Sequence, residues 1–267
     1  MPEGHAVHRH ANDFNRLFKG QIVAVESPQG RFSASAALLN GRTFKKARAI
    51  GKQLFLEFDN KLTLRIHLGI YGKWQFHDLA ESEPMPAPFG EVRARFRSSL
   101  GYADLRGPTV CEVIEPAAVA AVERRLGPDP LNPDPKGLQG ERFIARVQRS
   151  KTVIGLQLMN QEVIAGIGNV YRAEILFRAG ISPHSAGSSL NSVQLLSIWH
   201  DSVALLKVGV ASGMMITRDE LMKKRPKSLD RYFVYKREGL PCRVCGTNIS
   251  IEIMATRKLY WCQGCQR

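Results

Sequence analysis

Apolar positions recur with helical spacing at the very start of the chain. Five of them follow the period of an α-helix, and they are Val7, Ala11, Phe14, Leu17 and Phe18. Lys19 and Gly20 then supply a basic last turn and a stop signal. This pattern predicts a helix that begins almost at the first residue.

Short runs with strand character follow this helix. They span residues 21–25, 53–58, 62–68, 72–76 and 92–97. In the third run, Leu62, Leu64, Ile66 and Leu68 alternate with polar residues, so one face is apolar and the other is polar. Several short strands separated by turns are typical of a β-sandwich or a barrel.

The pattern changes after residue 125. Residues 126–140 are rich in Pro, Gly, Asp and Asn, which indicates a linker or a domain boundary. Helical patterns then cover 155–159, 170–177 and 192–206, and the tail from Tyr235 is short, polar and rich in cysteine. We therefore predict an α+β fold with a strand-rich domain at 1–125, a helical domain at 126–234 and a metal module at 235–267.

The charge balance narrows the choice of partner. Lys and Arg number 38 against 24 Asp and Glu, which gives a net charge of +14. Such an excess suits a polyanion such as nucleic acid, with anionic lipid as the rival. We find no run of about 18 apolar residues that would span a bilayer and no secretory signal, so we expect an intracellular protein. Arg93, Arg95 and Arg97 alternate along one run, and we interpret them as a solvated face.

Four of the five cysteines lie close to the end of the chain. The pairs Cys242-x-x-Cys245 and Cys262-x-x-Cys265 are separated by 16 residues, a spacing typical of a four-cysteine zinc site. Four thiolates leave no open coordination position, so we predict one structural Zn²⁺; the alternative is a pair of disulfides. Cys111 stands alone in an apolar stretch, and we interpret it as a buried structural thiol.

Residues 251–261, between the cysteine pairs, have the pattern of a hairpin with Arg257 near its tip. An arginine held there can enter a groove or clamp a phosphate. A solvated arginine is the alternative on this evidence.

The opening residues Met1-Pro2-Glu3-Gly4 carry chemistry of their own. Removal of Met1 leaves Pro2 with a free secondary amine, whose reference pKa is roughly 7.7–8.0 and whose positive charge a helix N-terminus disfavours. A neutral secondary amine attacks a sugar carbon to give an iminium ion, which stays cationic and acts as an electron sink. Glu3 is placed to protonate the opening sugar ring. The alternative is an ordinary helix start with Pro and Glu in the first turn.

Five motifs along the chain occur in a single order. They are Pro2-Glu3-Gly4, Gly51-Lys52, the HLGIYG segment at 67–72, the GIGNVY segment at 166–171 and the terminal cysteine pairs. Together they closely resemble the formamidopyrimidine-DNA glycosylase/endonuclease VIII family over essentially the full length. Gly4 in the opening, and Tyr71 after Ile70, look more like the endonuclease VIII branch.

The resemblance implies a β-sandwich domain opened by a helix, joined to a helix–two-turn–helix domain that carries a four-cysteine zinc finger. It also implies that double-stranded DNA with damaged bases or abasic sites lies in the cleft between the domains, with the damaged nucleotide flipped out. We expect a monomer that works in the cytoplasm on the nucleoid, with no membrane partner and no organic cofactor.

Four catalytic roles carry over by resemblance. Pro2 matches the Schiff-base nucleophile and Glu3 matches its acid partner. Lys52 matches the lysine that donates a proton in β-elimination, although an ordinary basic turn is the alternative. Arg257 matches the finger arginine that binds phosphate and is assigned to δ-elimination.

Further residues match DNA contacts of the family. Asn169 would grip a phosphate, with a plain helix N-cap as the alternative. Arg125 matches a DNA-contacting arginine, and Arg106 is a weaker candidate for filling the gap opposite the extruded base. His67 would contact backbone phosphate, with a structural histidine as the alternative.

Ile70 and Tyr71 match the wedge that enters the duplex where the base has left. The alternative is a pair of ordinary hairpin residues. Two positions depart from the family pattern. Ala6 stands where a second glutamate is common, and Gly69 stands where the endonuclease VIII branch has a glutamine. The first departure puts a proton relay in doubt, and the second puts recognition of the orphaned base in doubt.

We therefore predict a bifunctional DNA glycosylase and AP lyase that removes oxidised bases, chiefly pyrimidines, and cuts the strand by β- and δ-elimination. One alternative is an oxidised-purine glycosylase of the same family. The other is a non-catalytic, zinc-stabilised protein that binds damaged DNA.

Overall fold

The computed structural model describes residues 2–80 and 85–267. The chain forms two compact units, Met1–Arg125 and Leu126–Arg267, each with a hydrophobic core of its own. The cysteine-bearing tail belongs to the second unit, and its treatment as a separate module from residue 235 stays a prediction.

The first unit is a β-sandwich opened and closed by helices. Its elements are α1 (Gly4–Phe18), β1 (Ile22–Glu26), α2 (Ser33–Leu39), β2 (Arg42–Ile50), β3 (Gln53–Phe58), β4 (Thr63–His67), β5 (Lys73–Asp78), β6 (Ala94–Arg97), β7 (Gly101–Arg106), β8 (Val110–Ile114) and α3 (Pro116–Arg125). The strands follow the order β5-β7-β6-β1-β2-β3-β4-β8, and every neighbouring pair is antiparallel. The first two residues of β1 pair with β2 and the last three pair with β6, so β1 joins the two halves of the sandwich.

The predicted first helix is confirmed. All five of its apolar positions are buried, and Phe14 is the centre of an aromatic cluster. Its ring meets Trp74 edge-on at 4.8 Å and Phe96 edge-on at 5.6 Å between centroids. Such edge-to-face pairs add to the hydrophobic burial that holds α1 against the sheet.

The predicted solvated face at 93–97 is wrong for Arg95, which is 3% exposed. Its guanidinium donates two hydrogen bonds to the Asp104 carboxylate, at 2.7 and 2.8 Å, and one to the Pro86 carbonyl at 2.6 Å. The register of β6 and β7 sets Asp104 directly opposite Arg95. A buried arginine needs such a partner because its charge loses hydration.

The second unit is helical and ends in a small hairpin. Its elements are α4 (Leu138–Gln148), α5 (Ile154–Gln157), α6 (Asn169–Arg178), α7 (Ser192–Ser212), β9 (Ser250–Met254) and β10 (Arg257–Trp261), with 3₁₀ turns at Gly187–Ser189, Asp219–Leu221 and Ser228–Arg231. One core lies among the helices, and a smaller one joins α6 to the hairpin through Phe177, Tyr260 and Cys262.

Helix α7 is long and apolar enough, by length and composition alone, to cross a membrane. The sequence pattern predicts a helix at 192–206 but does not identify it as a possible membrane span. In this unit it packs against α4 and α6. Its Leu195, Ile198 and Leu205 lie fully buried in the core. That packing assigns α7 the role of a core helix.

Candidate active site and metal centre

The direction of α1 along β2 decides where the N-terminus lies. Gly20, after the helix, donates its N–H to the Phe44 carbonyl at 2.9 Å, and Asn15 exchanges two hydrogen bonds with Ala47 at 2.7 and 2.9 Å. The helix therefore runs antiparallel to β2. From Asn15 back to Gly4 it rises about 16 Å, while β2 advances about 13 Å from Ala47 to Gly51. The start of α1 and the turn after β2 therefore lie at the same end of the unit.

Glu3 directly precedes α1 and is fully buried, while Pro2 beside it is half-buried. The Glu3 carbonyl accepts the N–H of Ala6 at 3.0 Å and so opens the helix. The partial positive charge of a helix N-terminus favours a carboxylate there and disfavours a cation. Met1, on whose removal the Pro2 amine depends, lies outside the described residues.

Two histidines of α1 are neutral at pH 7. Burial lowers the pKa of His5 to about 4, with a smaller contribution from the charge of His10, and burial likewise lowers the pKa of His10 to about 4. Sequence reasoning missed both residues. The signal for His10 was its position three residues after Val7 and four before Phe14, on the apolar face of the helix. Ala6 is half-buried in the first turn of α1, so this turn has no second carboxylate beside Glu3.

Lys52 sits in a two-residue turn between β2 and β3, where Gly51 has φ of +57°. Gln53, the next residue, pairs with His67 on β4, so Lys52 and His67 are neighbours. Burial first, and then the charges of Lys52 and Arg65, lower the pKa of His67. Its Nδ1 accepts the N–H of Gly69 at 3.2 Å, which leaves the ring proton on Nε2.

The turn after β4 carries the two wedge candidates. Ile70 is 40% exposed and Tyr71 is 86% exposed, so both side chains point to solvent. Gly69 has φ of +66°, and a Cβ at this position would overlap the Thr109 hydroxyl. The missing side chain at position 69 is therefore a steric requirement of this turn, because Thr109 lies against its backbone.

Arg106 and Arg125 lie in different settings. Arg106 ends β7 opposite Lys73, and its guanidinium donates to the Phe89 carbonyl at 2.8 Å, to Asp104 at 3.3 Å and to Gln75. Arg106 is therefore already engaged within the first unit. Arg125 is the last residue of α3 and is exposed.

Asn169 is the first residue of α6 and is 5% exposed. Gly168 occupies the N-cap position, so the alternative of a plain N-cap asparagine is wrong. The Asn169 amide donates to the Lys258 carbonyl at 2.9 Å, and its oxygen accepts from Arg172 at 2.6 Å. The first bond ties the start of α6 to strand β10, and the second holds the Asn169 amide within α6.

Two polar residues missed by sequence reasoning hold this region together. Gln161 accepts the N–H of Gly166 and donates to the Ile167 carbonyl, both at 2.9 Å, and so fixes the glycine turn before α6. Glu174 is fully buried, and burial raises its pKa against the effect of four hydrogen-bond donors. The signal for Glu174 was a carboxylate within the otherwise apolar run 173–177 of the predicted helix.

The hairpin of β9 and β10 has a two-residue turn at Ala255 and Thr256, with φ of 51° and 60°. Arg257 follows at once and pairs with Met254, so it lies near the tip of the hairpin. This is the position at which the sequence pattern predicts it.

The four cysteine sulfurs Sγ of residues 242, 245, 262 and 265 lie within 4.8 Å of one another. The distance between Sγ atoms is 3.8 Å for Cys242 and Cys265 and 3.4 Å for Cys245 and Cys262. Four thiolates about 2.3 Å from a tetrahedral ion stand about 3.8 Å apart. The set therefore fits one metal ion, with no open position for a substrate. Cys111 is separate, and burial raises its pKa to about 12, which disfavours the reactive thiolate.

Comparison with known proteins gives matches along the whole chain. Residues 1–111 match the model of the formamidopyrimidine-DNA glycosylase N-terminal domain, and residues 126–220 match that of the formamidopyrimidine-DNA glycosylase H2TH domain. The chain is 43% identical to Endonuclease 8 1 of Mycobacterium tuberculosis and 28% identical to Endonuclease 8 of Escherichia coli K12, with full coverage of both chains in each case.

Solved structures share the fold. The wild-type Lactococcus lactis Fpg in complex with DNA containing N7-benzyl-Fapy-dG superposes with a TM-score of 0.80 at 23% identity, over 100% of both chains. The MutM (Fpg) protein of Thermus thermophilus gives 0.77 at 25% identity, over 99% of this chain and 98% of that one.

Proposed function

The chain belongs to the formamidopyrimidine-DNA glycosylase/endonuclease VIII family of DNA glycosylases and AP lyases, and we propose that it excises oxidised bases, chiefly pyrimidines, through a Schiff base on Pro2. The observation that carries this proposal is the antiparallel course of α1 along β2. It brings Pro2 and the buried Glu3 to the end of the unit where the Gly51-Lys52 turn lies.

The proposed reaction begins on C1′ of the damaged nucleotide. The neutral amine of Pro2 attacks C1′, the bond to the base breaks, and the base leaves with the proton that the Pro2 nitrogen loses. The deoxyribose ring then opens as Glu3 gives a proton to its ring oxygen. The product is an iminium ion on Pro2, which withdraws electrons from C2′. Loss of a C2′ proton then expels the 3′ phosphate, and a second elimination expels the 5′ phosphate. Hydrolysis of the imine frees Pro2.

Lys52 and Arg257 serve the elimination steps in this proposal. Lys52 holds its ammonium beside His67 and donates a proton during β-elimination. Arg257, near the tip of its hairpin, binds the phosphate next to the lesion and promotes δ-elimination.

We propose that residues of both units contact the DNA. His67 is a phosphate donor through Nε2, since its Nδ1 is already an acceptor. Asn169 presents the amide held by Arg172 and Lys258. Ile70 and Tyr71 enter the stack where the base has left, and Arg125 contacts the DNA. Arg106 reaches the opposite strand only by exchanging its bonds to Gln75, Phe89 and Asp104 for bonds to the DNA.

The metal at the four cysteines is, in our proposal, a structural Zn²⁺. Four sulfur ligands at tetrahedral spacing suit zinc, and a closed coordination sphere leaves the ion no part in the reaction. We place the protein in the cytoplasm on the nucleoid, where the genomic DNA is.

The test is borohydride trapping on a duplex with one abasic site. Intact-mass measurement first establishes that the protein starts at Pro2. We expect a covalent adduct from the processed protein, a weaker one from Pro2→Gly, whose amine is primary, and none from a form that retains Met1 and so has no free amine at residue 2. Matched thermal unfolding of the variants shows that the fold is kept. Duplexes with single oxidised pyrimidines or purines then measure the lesion preference, and faster excision of purines would contradict that part of the proposal.

A second candidate is a DNA-binding protein of this fold without catalysis. Ala6 favours it, because the half-buried first turn of α1 lacks a second carboxylate. Tight binding of abasic DNA with metal bound and no trapped adduct would establish this candidate and overturn the first.

A further inference from the structure

Lys236 has a backbone conformation that lysine rarely adopts. Its φ is +54°, in the left-handed region that favours glycine. The residue occupies the third position of a turn that the Arg237 N–H closes by donating to the Val234 carbonyl at 3.1 Å. Glycine is the usual residue at such a position because it has no Cβ to clash.

Buried bonds on both sides impose this conformation. The N–H groups of Phe233, Val234 and Tyr235 all donate to the Glu174 carboxylate at 2.8 Å. After Lys236, the guanidinium of Arg237 donates to the carbonyls of residues 233 and 241. The backbone therefore cannot relax at position 236, and a side chain is kept there against the local preference. Strain of this kind is a reason to look for a function of the side chain.

The Lys236 residue is exposed. Its Nζ lies 5.9 Å from the centroid of the Tyr235 ring. Arg178, Arg218 and Arg243 in the same unit form ion pairs with carboxylates. Within residues 2–80 and 85–267, Lys236 makes no such pair.

A chain of contacts joins Lys236 to the residues proposed to bind phosphate. The Tyr235 ring meets the Tyr260 ring edge-on at 5.2 Å, and Tyr260 belongs to strand β10, which begins at Arg257. The same strand accepts the Asn169 amide through the Lys258 carbonyl at 2.9 Å. Lys236 therefore belongs to the same packed region of the second unit as Asn169 and Arg257.

We infer that Lys236 binds a backbone phosphate of the DNA, next to the phosphates contacted by Asn169 and Arg257. A flexible, strongly hydrated point charge with three donors suits phosphate and carries no information about base sequence. The inference rests on the proposed function, since it assumes that this unit binds DNA.

The experiment measures DNA affinity between about 50 and 300 mM salt. The duplex carries a tetrahydrofuran abasic analogue, which cannot open to an aldehyde and therefore does not react with Pro2. In Lys236→Asn the charge is removed while a residue that tolerates the left-handed conformation is kept. In Lys236→Gly both the charge and the strain are removed, and in Lys236→Arg the charge is kept. Lys207→Gln, an exposed lysine on α7, is the matched control.

We expect Lys236→Asn and Lys236→Gly to weaken DNA binding about threefold to tenfold. The slope of log affinity against log salt concentration should fall in magnitude by about 0.9, the contribution of one phosphate. Lys236→Arg and Lys207→Gln keep the wild-type slope, and Lys236→Gly unfolds at the wild-type temperature or above. An unchanged slope in Lys236→Asn, or a loss confined to Gly, would overturn the inference. Borohydride trapping on a true abasic duplex tests the proposed function separately, since the Lys236 variants at saturating protein still trap.

Discussion

The two units position the residues that we propose to be functional in different ways. In the first unit, Pro2, Lys52 and His67 lie where helices and strands begin or end, and their positions follow from backbone direction and register. In the second unit, Asn169 and the 233–237 segment are held by buried polar side chains, and the hairpin by four thiolates. We therefore expect the first unit to lose activity without losing its fold, and the second unit to lose local structure together with its contacts.

Removal of the metal should give the largest effect. We expect Cys262→Ser, or chelation, to unfold the β9–β10 hairpin, because structural zinc contributes on the order of 10 kcal/mol to folding in small zinc domains. DNA affinity should fall more than tenfold, while the first unit stays folded. Metal analysis, limited proteolysis and DNA binding check this, with Cys111→Ser as the control. Full DNA affinity in metal-free protein would contradict the expectation that the second unit loses its DNA contacts together with its local structure.

Loss of the Glu174 carboxylate should give the second-largest effect. Glu174→Ala leaves three backbone N–H groups without their acceptor, at a cost of about 4 kcal/mol in the free energy of unfolding, whereas the Thr217 hydroxyl keeps the Arg231 carbonyl as acceptor. Glu174→Gln keeps one acceptor oxygen and should lose about half as much. Urea denaturation measures both, and the exposed Glu238→Ala should change stability by less than about 0.5 kcal/mol. A loss of unfolding free energy below about 1 kcal/mol in Glu174→Ala would show that the hydrogen bonds to Glu174 contribute little to stability.

Acid should destabilise the first unit through His5 and His10. Their pKa in the folded chain is about 4, below the ordinary 6.5. Between these values the unfolded chain binds protons that the folded chain excludes, so stability falls as the pH drops from 6.5 towards 4. At a pH of about 4.5 each histidine should account for about 2.5 kcal/mol.

His10→Gln removes one of these groups and should therefore lose less stability between pH 7 and about 4.5 than the wild type does. Denaturation curves at the two pH values measure this difference, and His200→Gln on the exposed face of α7 is the control. Equal acid losses in His10→Gln and the wild type would refute the assignment.

The smallest effect concerns the wedge turn. Gly69→Ala adds a Cβ against the Thr109 hydroxyl at a positive φ, and we expect it to cost about 2 kcal/mol. Adding Thr109→Ala should recover the steric part and leave about 1 kcal/mol for the φ angle. A double-mutant cycle of unfolding free energies measures the coupling. Additive effects of the two substitutions would show that Thr109 is not the reason for glycine at position 69.

Patterns within single segments were predictable because they reflect burial on one face. The apolar stripe of α1, the cysteine spacing and the family resemblance are all confirmed by the structure and the comparisons. The interpretation of Arg93, Arg95 and Arg97 as one solvated face failed because the partner of Arg95 comes from β7, which the apolar pattern did not reveal.

The family, the chemistry available at Pro2 and Glu3, and four thiolates at metal spacing could be inferred from the sequence, since each depends on residue identities and spacings within short motifs and on the order of those motifs. Three features are visible only in the folded chain: α1 runs antiparallel to β2, Thr109 lies where a side chain at Gly69 would be, and Glu174 holds the residues that precede the left-handed Lys236. Each of these depends on a partner distant in sequence, and a buried polar group or a crowded backbone shows its requirement only when that partner is in place.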